Sequence, residues 1–361
     1  MFNQVARKTV AVASSVALLA GCSKGGGSFS TLADSASFKQ EASYTAKKID
    51  ILWIIDNSGS MESSQTNLAN NFQAFIARFN QSSSDFHMAV GTTEAWMKQF
   101  NLSNPSSGTT AADMANIRDG AKLSSSVTTH SGVFIMDKNT PNMSSVFQTN
   151  IKQGTNGNGD ERAFESFKQI LNEPWNAGFR RPDAFLAIII VSDEDDFSNS
   201  TTSLIEDYNS SKLHSVQSYV NFLDTYTGGT ANGRNYAVSN ISIQDTACLN
   251  QLAINAQNVN QRYKQLTSLT GGIQGSLCSN FGTTLDLISE NIIQLSSVFK
   301  LDREPIPETI VVTVDGVTVP QDATNGWTYD ATKLTITFHG SSVPGANSAI
   351  KINFDPKTIQ I

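Results

Sequence analysis

Residues 49–65 read IDILWIIDNSGSMESSQ, and the order of residue types in that stretch decides the fold. Its first seven residues are almost continuously apolar, the pattern of a strand covered on both faces. A short polar loop, residues 56–61, follows. Beyond it Leu68, Phe72, Phe75, Ile76 and Phe79 recur at helical spacing, which predicts an amphipathic helix over residues 62–80. Strand, tight loop and returning helix form the unit from which parallel sheets are assembled.

The same alternation continues along the chain. Residues 86–91 (FHMAVG), 185–191 (FLAIIIV), 236–243 and 272–277 read as strands. Helices are predicted at residues 161–171, 212–223, 257–269 and 284–299 from apolar residues recurring every three or four positions. The expected fold is therefore α/β: a doubly wound, mainly parallel sheet with helices on both faces, over residues 46–303. A polar insertion interrupts it at about residues 101–158, with only 132–136 (GVFIM) strand-like. So long a segment inside a compact domain is expected to be elaborated or functional. After Pro305 and Pro307 the pattern becomes short alternating runs, among them TIVVTV before Asp315-Gly316, a favoured hairpin turn. A small all-β module is expected at residues 304–361.

The amino terminus reads as an address. Arg7 and Lys8 precede an apolar run too short to span a bilayer, ending in Leu19-Ala20-Gly21-Cys22. That ending resembles a bacterial lipobox. Residues 1–21 would then be a lipoprotein signal peptide, and Cys22 would carry the lipid. Ser23 after it resembles the pattern of outer-membrane sorting. Residues 22–45, rich in Ser, Gly and Ala, read as a flexible tether. In the oxidising compartment this implies, the remaining pair, Cys248 and Cys278, is expected to form a disulfide.

The chemistry is concentrated in two places. Asp56, Ser58 and Ser60, in the loop after the first buried strand, offer one carboxylate and two hydroxyls, hard oxygen donors suited to Mg²⁺. The serines are alternatively caps for the following helix. Ser192-Asp193-Glu194-Asp195-Asp196 follows the most apolar strand, so both groups fall at the carboxyl edge, where open α/β sheets bind ligands. Glu194, Asp195 and Asp196 read as solvated, with a second cation as the alternative. Thr92 and Thr93 end a strand on the same edge.

The Asp-x-Ser-x-Ser pattern in this position, with Asp193 ending a later strand, resembles the metal-ion-dependent adhesion site of von Willebrand factor type A domains. The resemblance covers roughly residues 46–300 and implies a Rossmann-like fold. It also implies one divalent cation, Mg²⁺ first, with Ca²⁺ or Mn²⁺ as alternatives, held by Asp56, Ser58, Ser60 and Asp193. The family adds a Thr from a loop before a helix. Glu161 stands at that place here, and Asp160 or Thr155 are the alternatives. A Glu ligand would lower the metal's demand for a partner's carboxylate, or make the metal structural.

Composition narrows the function. A net charge of -7 argues against a nucleic-acid partner. No Gly-x-Ser-x-Gly elbow, His-Glu-x-x-His or P-loop lysine pattern occurs, so no enzyme is expected. The expectation is a membrane-anchored, metal-dependent adhesion or protein-binding lipoprotein, meeting a protein or surface ligand through an acidic residue of that partner. The alternative is a structural subunit of the cell envelope.

Overall fold

All seven residues of strand β2 (Ile49–Ile55) are buried, and their side chains divide between two cores. Ile49, Ile51, Trp53 and Ile55 face one, and Leu52 and Ile54 the other. Strand β5 (Phe185–Val191) is divided in the same way, with Phe185, Ala187, Ile189 and Val191 opposite Leu186, Ile188 and Ile190. A strand covered on both faces needs no polar alternation, which is why both runs are continuously apolar. The computed structural model from which this is read describes residues 40–45, 47–81, 84–100, 120–124, 131–230, 233–252, 258–345 and 348–357. Cys22, the lipobox and most of the insertion fall outside these.

Six strands form the main sheet. With β3 (Phe86–Thr92), β4 (Met136–Asp137), β6 (Tyr236–Ser242) and β7 (Gln274–Ser276), the order is β4-β3-β2-β5-β6-β7. Only β4 runs antiparallel. The first core is covered by helices α1 (Glu62–Gln81), α2 (Met143–Asn150) and α7 (Phe281–Ser296). Within it Phe72 stacks on Phe147 at 3.7 Å between ring centroids, and Trp53 meets Phe75 edge-on at 5.0 Å. The second core is covered by α3 (Ala163–Asn172), α4 (Val216–Tyr226) and α6 (Arg262–Thr270). The molecule is therefore a mixed α/β protein whose mostly parallel sheet is flanked by helices.

Two small antiparallel sheets complete it. One has the order β1-β13-β9-β10, from β1 (Gln40–Thr45), β9 (Val311–Val314), β10 (Val317–Val319) and β13 (Ala349–Phe354). The other is β11-β12-β8, from β8 (Val298–Lys300), β11 (Trp327–Asp330) and β12 (Thr335–Phe338). Phe299, Val312, Trp327, Ile336, Phe338, Ile350 and Ile352 share a third core. The α/β unit is thus inserted between β1 and the rest of the β module.

Both covalent links between the two parts leave from one edge of the main sheet. Residues 46–48 join β1 to the amino end of β2. Helix α7 runs alongside α1: Arg78, in the last turn of α1, pairs with Asp286 at 2.6 Å and Glu290 at 3.4 Å. Further along, Asn291 of α7 donates to the Gly271 carbonyl, just before β7, at 3.2 Å. So α7 ends near the amino edge and delivers the chain to β8 there. The loops at the carboxyl ends of β2, β3 and β5 lie at the opposite edge.

Several elements differ from the sequence expectation. Gln40–Thr45, inside the stretch read as a tether, pair residue for residue with β13. Helix α4 starts at Val216 and not at Lys212, because Ser215 caps it by accepting from the Ser218 N–H at 3.2 Å while Leu213 bridges to Asn199. Helix α7 ends at Ser296: the Ser296 and Ser297 hydroxyls both donate to the Ile293 carbonyl at 2.8 Å, freeing Phe299 for the β module. That module accordingly begins at Val298. Of residues 132–136 only Met136 is in a strand. Helix α2 and a short helix α5 (Thr246–Leu252) have no counterpart in the sequence reading. The Cys248–Cys278 disulfide, with Cα atoms 5.6 Å apart, ties α5 to the turn after β7.

Candidate metal centre

Asp56 stays in register with the sheet after β2 ends, its N–H donating to the Val191 carbonyl at 2.9 Å. This fixes its carboxylate, which is fully buried, at the top of the two central strands. One oxygen accepts from the Ser58 N–H at 2.7 Å and the other from the Ser192 hydroxyl at 2.7 Å. The Ser58 and Ser60 hydroxyls are 3.2 Å apart. Ser60 in turn donates to Asp193 at 3.0 Å. Four of the five residues picked out as metal ligands are therefore joined in one hydrogen-bonded group. Ser58 and Asp193 are buried, Ser60 is half-buried and Gly59 is exposed, so the group opens to the surface beside Ser60. Neither serine hydroxyl caps α1; the turn closes through Met61 N–H donating to the Ser58 carbonyl at 3.3 Å.

Glu161, the fifth, sits differently. It is 2% exposed, yet neither carboxylate oxygen has a hydrogen-bond partner. Burial, then the charge of Asp56, then the neighbouring Glu194 carboxyl hold it far above the ordinary carboxylate range. Of its two alternatives, Asp160 is committed elsewhere: Arg162 binds it through two nitrogens and stacks 3.7 Å over the Trp96 ring. Thr155 lies beside the loop, its carbonyl 3.9 Å from where a Cβ on Gly59 would stand.

The electrostatics are one-sided. Burial and the charge of Asp193 push Asp56 up to about 7, against the opposing hydrogen bonds from Ser192 and Ser58. Burial likewise raises Asp193 and Glu194. Among the described residues, none of Asp56, Glu161, Asp193 and Glu194 forms an ion pair with a basic side chain. No group of three or more His, Cys, Asp or Glu there could by itself hold a metal ion. The donor set is instead mixed, two carboxylates with two hydroxyls, and the buried, unpartnered Glu161 carboxylate beside Asp56 marks a deficit of positive charge. These residues fit a small hard cation.

The acidic run beyond Asp193 is not solvated, contrary to the sequence expectation. Asp195 is buried and accepts the first N–H groups of α6, from Gln261 at 2.6 Å and Arg262 at 3.0 Å. Asp196 is buried, accepts from Phe164 N–H at the start of α3 at 2.9 Å, and pairs with Arg262 at 3.1 Å. The two carboxylates complement positive helix ends that would otherwise be left unsatisfied. Glu194 alone of the three remains half-buried at the opening.

Other residues hold the loops. Gln65 donates through Nε2 to the carbonyls of Asp56 and Gly154, both at 2.8 Å. Glu94 accepts from Asn57 Nδ2 at 2.9 Å and from the Asn158 N–H. Gly157 donates to the Asn57 carbonyl at 2.8 Å, and a Cβ there would stand 2.6 Å from that same oxygen, so only glycine fits. Gln65 was legible as a polar residue on the apolar stripe of α1. Nothing in the sequence singled out Glu94.

No protein-family model matches the chain, and no curated protein matches its sequence. Solved structures resemble it at low identity. Proximal thread matrix protein 1 from the mussel byssus is 11% identical, with a TM-score of 0.37 over 73% of this chain and 52% of that one. The pilus adhesin SpaC from Lactobacillus rhamnosus GG in its open conformation is 11% identical, with a TM-score of 0.39 over 88% of this chain and 40% of that one. The adhesive tip pilin GBS104 from group B Streptococcus agalactiae is 10% identical, with a TM-score of 0.34 over 90% and 83%. The chain spans about half the length of the byssus protein and less of SpaC.

Proposed function

We propose that the carboxyl edge binds one divalent cation, Mg²⁺ before Ca²⁺ or Mn²⁺, and that the loaded edge is a docking surface for another protein or surface ligand. Asp56, Ser58, Ser60 and Asp193 would hold the ion, with Glu161 beside them, in a von Willebrand factor type A-like, doubly wound domain. The observation that carries this is the Glu161 carboxylate, buried next to Asp56 with neither oxygen partnered. An uncompensated buried acid is costly, and a bound cation removes the cost. When bound, the ion supplies a Lewis-acidic coordination position. The protein's own part is to fix the donors: Val191 and Ser192 hold Asp56, while Gln65 and Glu94 hold the loops.

Display fits the placement of this edge, opposite both links to the β module. In the same proposal residues 1–21 are a signal peptide, Cys22 is lipidated, and the chain is anchored in the outer membrane. Among the described residues no helix is long and apolar enough to cross a membrane. Incorporation of labelled palmitate, lost in Cys22→Ala, would test the anchor. A second reading, an envelope scaffold with a structural metal and no catalytic role, draws on Gln65 and Glu94, which lash residues 154–158 onto the metal loop.

Calorimetric titration of Mg²⁺, Ca²⁺ and Mn²⁺ into the chelator-treated chain tests both, beside Asp56→Ala and Glu161→Thr. Binding that Asp56→Ala abolishes is expected. Tight binding weakened by Glu161→Thr makes Glu161 a ligand and favours the structural metal. Weaker binding that Glu161→Thr leaves unchanged favours an open position and docking. Binding retained in Asp56→Ala sinks the site.

A further inference from the structure

We propose that the docking edge receives a basic segment of a protein partner, a lysine or arginine side chain and not a carboxylate contacting the mouth beside Ser60. This rests on the metal reading above and follows from the charges left once one cation is bound. Four carboxyl groups converge here: Asp56, Asp193, Glu161 and Glu194. The charges of Asp193, Glu206 and Asp160 bear on Glu194, and all three are acidic. A single divalent ion offsets two of the four, so the loaded site keeps a negative surplus in a poorly solvated setting where charges act strongly.

The nearby cations cannot relieve it. Arg162 is taken up by Asp160 and by the carbonyls of Asn199, Thr201 and Ser203. Arg262 is taken up by Asp196 and the His214 carbonyl. Glu161, with both oxygens unpartnered, is an independent sign that positive charge is missing. Gly59 is exposed, and Ser60 and Glu194 are half-buried, so the surplus is reachable from outside. A partner's carboxylate would meet repulsion there. A long ammonium or guanidinium side chain would meet complementary charge while keeping its stem outside.

The test is fluorescence anisotropy of labelled oligolysine and oligoglutamate peptides of equal length against the full chain in excess Mg²⁺, with metal binding measured by calorimetry on the same samples. Oligolysine is expected to bind, more weakly as salt rises. Glu161→Gln/Glu194→Gln should reduce its affinity by roughly tenfold or more, and Glu194→Gln alone by less. The charge-matched control Asp302→Asn/Glu308→Gln, exposed in the link to the β module and in the module itself, should stay within about twofold of the parent. Mg²⁺-dependent binding of oligoglutamate, no binding of oligolysine, or equal losses in both double variants would overturn the proposal. Metal binding without peptide binding defeats this inference alone. Peptide binding without metal binding defeats the metal reading and leaves the acidic mouth standing.

Discussion

The Ser60 hydroxyl donates to the Asp193 carboxylate at 3.0 Å across a separation of 133 residues. One residue belongs to the loop after β2 and the other to the loop after β5, and the parallel pairing of those strands brings them together. The bond makes the two loops a single unit, which sets what removing any one member should do.

Asp56→Ala should abolish stabilisation by Mg²⁺. A ligand at about a hundred times its Kd adds about 2.7 kcal/mol to a folded protein. Thermal melts with and without Mg²⁺ should therefore differ for the parent chain and coincide for the variant. A variant that still gains stability with Mg²⁺ would place the ion elsewhere.

In chelator, Glu161→Gln should melt higher than the parent chain, because it removes a buried acid that has no partner. The gain expected is about 1–3 kcal/mol, the cost of an unsatisfied buried polar group. With Mg²⁺ present the order should narrow or reverse. Urea denaturation in both conditions measures it.

Stability without metal should fall as pH rises. Asp56 is held at about 7 in the folded chain, above its ordinary value of 3.8, so the folded state binds more protons than the unfolded state between these values. Its contribution is complete below about 4 and is lost as pH rises through about 7, on the order of 4 kcal/mol in all. Asp193 and Glu194 shift in the same direction. Urea midpoints between pH 5 and 8 should show this decline in chelator and a much flatter profile in Mg²⁺, the difference cancelling carboxylates remote from the site.

Cys248→Ser/Cys278→Ser should lower stability by about 3–4 kcal/mol, the loop-closure value for a separation of 30 residues. Thiol labelling of the unreduced parent should find neither cysteine. Labelling of either one would show that the bond is absent.

Much of the main sheet was legible because buried parallel strands carry their signature locally: β2 and β5 are apolar at every position but Asp50. Asp50 is legible only in the structure, where Arg180 and Arg181 meet its carboxylate at 2.9 and 2.8 Å. Asp56, Ser58, Ser60 and Asp193 were found because each directly follows such a strand or lies within the loop after it. The roles of Asp195 and Asp196 were not, since they depend on which helices begin nearby in space. Strand β1 escaped for a related reason. QEASYT carries no strong alternation, and its partner β13 lies at the far end of the chain, so nothing local reports the pairing.

The insertion of the α/β unit behind β1 also sets how the molecule would bear a load. A pull between the metal loop and the chain before Gln40 runs along β1, residues 46–48 and β2, two strands that are already extended. Such a path has little slack to surrender, and it leaves the helices and both arms of the β module beyond α7 outside the line of tension. The docking edge can be tugged without drawing out the fold that shapes it.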